Sequence, residues 1–153
     1  MNKQKLTIDQ LRKFLEQGYL LHGTKEKLAV VEPRQASDND PERKTGKAFA
    51  IYAEAHDIRV PILMALFDEK DKSKRSWSSS YSAEGNGPMK VTGENCILTP
   101  GYVYVLPKES FVREGGDNDY EYVSYTPVTP VTAIEVEPSL LDEFTDIEIA
   151  LKD

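Results

Sequence analysis

Apolar residues near the start of the chain recur with helical spacing. In "TIDQLRKFLEQG", Ile8, Leu11, Phe14 and Leu15 form one stripe, Thr7 and Gln10 have capping-box spacing, and Gly18 supplies a stop. A helix over about 7–17 is predicted. The pattern then alternates: in "YLLHGT", Leu20, His22 and Thr24 share one face and Tyr19 and Leu21 the other. "KLAVVE" is a second short apolar run, ended by Pro33, and the polar, turn-rich stretch 34–44 reads as a loop. "KAFAIYAE" is the next predicted strand, with Ala48, Ala50 and Tyr52 on one face and Phe49, Ile51 and Ala53 on the other. "HDIRVPILMALF" reads as a helix provided Pro61 falls in its first turn. The charged, serine-rich stretch 68–88 is expected to be a mobile loop or lid. After it, "MKVTG", "CILT", "YVYVLP", "DYEYVSYTP" and "VTAIEVE" are β-branched or aromatic and separated by turn residues. The order predicts an α+β fold of two packed sheets with a few peripheral helices.

Composition narrows this picture. At 153 residues the chain is expected to form a single domain over 1–153, and its apolar fraction of 39% and charged fraction of 29% are those of a soluble globular protein. No apolar run is long enough to cross a membrane, and the polar start "MNKQKLTIDQ" does not read as a signal peptide. Cys96 is the only cysteine, so no intrachain disulfide forms, and a reducing cytoplasm is the expected compartment. One Cys and two His cannot close a zinc site without carboxylates, and no metal is expected. The net charge of −7 argues against broad, non-specific attachment to nucleic acid or anionic membranes, while leaving local contact with a nucleic acid open.

Three places carry candidate chemistry. Glu121 sits in the aromatic, β-branched strand "DYEYVSY", where a carboxylate needs either a partner or a task; this strand alone favours pairing with a lysine at the sheet rim. Tyr52 follows two alanines on its own face, leaving space for a flat ring, although a core tyrosine would fill the same volume. In His22-Gly23-Thr24 the glycine permits close approach to the backbone, and the histidine and threonine offer hydrogen bonds on one face. A satisfied structural histidine ending an apolar strand is the alternative.

"LLHGT", then "GKAFAIYAEA", then "YEYVSYTPVTPV", in that order, resembles the ADP-ribosyltransferase superfamily. The similarity is to the His-Tyr-Glu branch shared by the poly-ADP-ribose polymerases and diphtheria-type toxins. It spans about Tyr19 to Val136 and is carried by three short motifs. The resemblance implies an ADP-ribosyltransferase-like split β-sandwich and an enzyme that uses NAD as substrate. The implied activity is mono-ADP-ribosylation of a macromolecular acceptor, protein or nucleic acid, with release of nicotinamide. Carried over by position, the Gly23 backbone would hold the nicotinamide carboxamide with help from the Thr24 hydroxyl, and His22 would bond a ribose hydroxyl. Tyr52 would stack on the nicotinamide, and Glu121 would bind the nicotinamide ribose and steady the transition state. Cleavage of the N-glycosidic bond builds positive charge on the sugar, which a preorganised carboxylate offsets.

Around this set, Arg34 in "EPRQ" has the chemistry to reach the NAD pyrophosphate, or is a solvated loop arginine. The loop "VREGGDND" falls where the superfamily recognises its target. Asp119 occupies the acceptor-selecting position, where relatives usually carry Glu or Gln. Ser78 to Ser80 with Trp77 and Tyr81 read as a serine loop, His56-Asp57 as a helix start, and Cys96 as a small core residue. No Gly-x-Ser-x-Gly elbow is present. Two alternatives stand beside the transferase: an RNA 2′-phosphotransferase-like enzyme, weakened by the presence of only His22 and His56, and an inert binding module of the same fold.

Overall fold

The structure, a computed structural model, describes residues 2–35, 49–70, 77–81, 87–113 and 121–152. Most of the predicted 34–44 loop, much of the 68–88 stretch, Ala48 and Asp119 lie outside the described residues.

In chain order the elements are α1 (Lys3–Glu16), β1 (Leu20–Thr24), β2 (Arg34–Gln35), β3 (Phe49–Glu54), α2 (Arg59–Leu66), β4 (Phe67–Glu69), β5 (Trp77–Tyr81) and β6 (Met89–Glu94). There follow β7 (Cys96–Leu98), β8 (Gly101–Leu106), β9 (Val112–Arg113), β10 (Glu121–Ser124), β11 (Thr132–Val136), a 3-10 turn (Pro138–Glu143) and β12 (Ile147–Lys152). The protein is mixed α+β, with mostly antiparallel sheets and few helices. The largest sheet runs β11-β8-β1-β3-β10-β9, with β2 also paired to β3. A smaller sheet runs β12-β6-β5, and β4 pairs with β7.

The first helix starts earlier than its pattern predicts. Asn2 is the cap, its side chain accepting from the Gln4 N–H at 2.8 Å. Thr7 lies inside the helix, its hydroxyl donating back to the Lys3 carbonyl at 3.1 Å. The apolar stripe holds: Ile8 and Leu11 are buried, and Phe14 and Leu15 pack against the same core. Gly18 ends the helix with φ +91, in the left-handed region where glycine carries no Cβ penalty.

Helix α2 organises the rest. It is apolar on nearly every side, the signature of a helix buried all round. Ile62, Ala65 and Leu66 pack with Leu21, Val103 and Val105 of the large sheet. Leu63, and Phe67 just beyond the helix, pack with Trp77, Met89 and Val91 of the small sheet. Helix α2 thus lies between the large and the small sheet, where two directly packed sheets with peripheral helices were expected. Pro61 falls in the first turn, where its missing N–H costs nothing.

Several segments differ from their sequence patterns. Trp77–Tyr81, expected in a loop, is strand β5, paired with β6 from Trp77↔Gly93 to Tyr81↔Met89. Trp77 is buried and stacks on Phe67, centroids 4.7 Å apart and planes within 9°. Strand β12, absent from the sequence reading, pairs in parallel with β6. "KLAVVE" is not a strand; only Val31 bridges, to Val128.

Candidate active site

The site begins where β1 and β3 part. Strand β1 pairs with β8 along its whole length, but its registered pairing with β3 is confined to Leu21↔Glu54. Beyond that pair the strands diverge and α2 lies across the gap. The resulting shallow, open cleft is lined by Leu21, His22, Gly23, Tyr52, Ala53 and Glu54 from the strands. Val60, Pro61 and Met64 of α2 form the remaining wall. The enclosed space is only about 20 Å³, so any ligand would lie mainly along the open surface.

Gly23 makes this wall possible. A Cβ there would sit 1.9 Å from the Pro61 carbonyl oxygen, so only glycine lets the first turn of α2 press onto β1. Gly101 plays the same part on β8, where a Cβ would lie 1.9 Å from the Ala65 carbonyl oxygen. The close approach expected at Gly23 from the sequence is thus made by the protein's own helix.

His22 is half-buried, and its Nδ1 donates to the Tyr52 carbonyl at 2.6 Å, spanning the gap between the two strands. A carbonyl can only accept, so Nδ1 carries the hydrogen and the neutral ring keeps Nε2 as an acceptor. Burial holds the pKa of His22 below its usual value; the Tyr52 carbonyl works against this and the charge of Arg34 works with it. The ring is neutral at pH 7. Tyr52 is half-buried beside it, and Met64 opposite is the most exposed side chain of α2, at 36%.

Glu121 opens β10, the strand beyond β3. The register sets Glu121 opposite Glu54 and Val123 opposite Tyr52. The His, Tyr and Glu motifs, far apart in sequence, therefore occupy three neighbouring strands in the order β1-β3-β10. At a strand spacing of about 4.8 Å, position 121 lies roughly 10 Å across the sheet from position 21.

The other predicted contacts lie outside the cleft lining. Thr24 is half-buried, and its hydroxyl oxygen accepts from the Glu26 N–H at 3.2 Å. Arg34 makes a two-pronged ion pair with Glu26, one bond measuring 2.9 Å. The pair raises the pKa of Arg34 and lowers that of Glu26, but both side chains are about half exposed, so its net contribution to stability is small.

Sequence reasoning passed over Glu54, which shares the alternation face of Tyr52 and could have been found from it. Met64 left no signal, because an all-apolar helix does not show which residue faces outward. No protein-family model, curated protein or solved structure matches the chain.

Proposed function

We propose that the chain is an NAD-dependent mono-ADP-ribosyltransferase with an ADP-ribosyltransferase-like split β-sandwich, transferring ADP-ribose to a macromolecular acceptor and releasing nicotinamide. One observation carries this reading: His22, Gly23 and Tyr52 line one open cleft, and Glu121 begins the strand next to that of Tyr52.

Each group has a part. The nicotinamide ring enters between Tyr52 and the apolar wall of Val60, Pro61 and Met64, stacking on the tyrosine. The Gly23 backbone, where β1 has parted from β3, holds the carboxamide, and the nearby Thr24 hydroxyl donates to it. Nε2 of neutral His22 accepts a hydrogen bond from a ribose hydroxyl. Glu121 takes the hydroxyl of the nicotinamide ribose and offsets the positive charge that grows on the sugar. The C1′–N bond breaks with its electron pair leaving on nicotinamide, whose ring nitrogen loses its charge. The acceptor forms its bond to C1′ from the opposite face. Arg34 reaches the pyrophosphate by exchanging its Glu26 partner for phosphate oxygens.

The test is incubation with labelled NAD and cell lysate, followed by separate protease and nuclease digestion. Label that becomes small under one digestion and not the other identifies the acceptor class. Label that never enters macromolecules refutes the transferase reading.

A further inference from the structure

Strand β12 lies at the edge of the small sheet. It pairs with β6 on one side, and among the described residues no strand lies along its other side. Edges that resist pairing are very short, bulged or interrupted by proline. Strand β12 is six residues long, has no proline, and keeps its register with β6 unbroken from Ile147↔Met89 to Lys152↔Glu94. The apolar face of the sheet is also left open here. Met89 and Val91 of β6 are 1% exposed, whereas Ile147 and Ile149 beside them are half-buried and Leu151 is 39% exposed.

The backbone fixes which groups point outward. The carbonyls of Asp146 and Lys152 accept from the Met89 N–H at 2.8 Å and the Asn95 N–H at 3.0 Å. Even-numbered residues of β12 therefore bond to β6, and Ile147, Ile149 and Leu151 turn their N–H and C=O groups to the open edge.

We infer that β12 pairs antiparallel with β12 of a second copy of this chain, about a two-fold axis at Ala150. In that register Ile149 of each copy exchanges both backbone bonds with Leu151 of the other, and the two side chains cover one another on the apolar face. Glu148 of each copy meets Lys152 of the other on the outer face, where both side chains are exposed. These are non-hydrogen-bonded positions, at which facing side chains come closest and opposite charges attract. The charges select this axis. One at Glu148 would set that carboxylate against itself, and one at Ile149 would set Lys152 against Asp146, which already pairs with Arg59 at 3.2 Å. The product is one continuous sheet in the order β5-β6-β12-β12-β6-β5.

Sedimentation velocity over a concentration series extending to millimolar measures association of wild type, Glu148→Lys, Lys152→Glu and the double reversal. A single pair of strands makes a small interface, so a micromolar dimer is expected. Each single reversal turns two opposite-charge pairs into like-charge pairs and should raise Kd roughly tenfold or more. The double reversal restores the pairs and the association. The substituted side chains are exposed, so melting curves should stay near that of wild type and report that the fold is kept. Ala150→Cys reads the register: across the axis its Cα atoms lie about 4.5 Å apart, within disulfide reach, and oxidation should cross-link it. Lys152→Cys, roughly 14 Å from its own copy, should not cross-link. Cys96 is buried and contributes no cross-link. Wild type that stays monomeric throughout the series overturns the inference and means that the edge takes another chain or none. Association that the single reversals do not weaken, or that the double reversal does not restore, also overturns it. So does cross-linking of Lys152→Cys in preference to Ala150→Cys.

Discussion

Removing the carboxylate of Glu121 and removing the ring of Tyr52 have different consequences on this account. Glu121→Gln is expected to abolish NAD turnover while NAD still binds; normal turnover would mean that another carboxylate serves the sugar. Tyr52→Ala is expected to weaken NAD binding by about 1 kcal/mol, roughly fivefold in Kd, through lost stacking. Unchanged affinity with a lower melting temperature would make Tyr52 a packing residue. His22 links the site to pH. Its pKa is held down in the folded protein, so as pH falls below about 6.5 the unfolded chain binds the proton first. Its stability contribution is therefore complete above that pH and lost as pH falls through the lowered folded value. The same protonation removes the Nε2 acceptor, so NAD affinity should fall in parallel. A titration of Kd against pH in His22→Gln should lack that step.

At the scale of elements, the glycines and the tryptophan decide how α2 is held. Gly23→Ala puts a methyl group into the Pro61 carbonyl and is expected to cost about 1–3 kcal/mol, the range for overpacking. It should also reshape the cleft, so NAD affinity falls with stability. In Gly18→Ala nothing lies within 4 Å of the new methyl group and the cost is backbone strain, so only stability should change. Trp77→Ala is expected to cost about 3–5 kcal/mol in denaturant unfolding, as for other buried aromatics. A near-neutral result would return that segment to the loop its composition suggests. These cases also show what the sequence made legible. The α1 stripe, the β1 and β3 alternations and the position of Pro61 follow from local periodicity, and the structure keeps them. Strand β5 was hidden because three serines dominate its pattern, while its placement comes from the distant Phe67 ring. Strand β12 went unread although Ile147 and Ile149 alternate with Glu148 and Ala150, and its partner, β6, is far away in the chain. Within the site, His22, Gly23 and Tyr52 could be named from motifs. Glu54 shares the alternation face of Tyr52, but its place between Leu21 and Glu121 comes from the register.

For the whole molecule, a large antiparallel sheet parts beside one buried helix; the β1 and β3 motifs line that opening, and β10 is the next strand beyond β3. The smaller sheet braces the helix from behind through Leu63, Phe67 and Trp77. The cleft is thus a consequence of the fold's main packing contact, and ligand binding should stabilise the entire domain. At a free NAD concentration tenfold above Kd, linkage gives about 1.4 kcal/mol. For a chain of this size that is a rise in melting temperature of roughly 3–6 °C. The most direct test of the central claim is nicotinamide release from NAD by the purified protein, measured beside Glu121→Gln. The account predicts release by wild type and none by the variant, with both melting higher in NAD. Equal release by the two proteins, or neither release nor a melting shift in wild type, would contradict it.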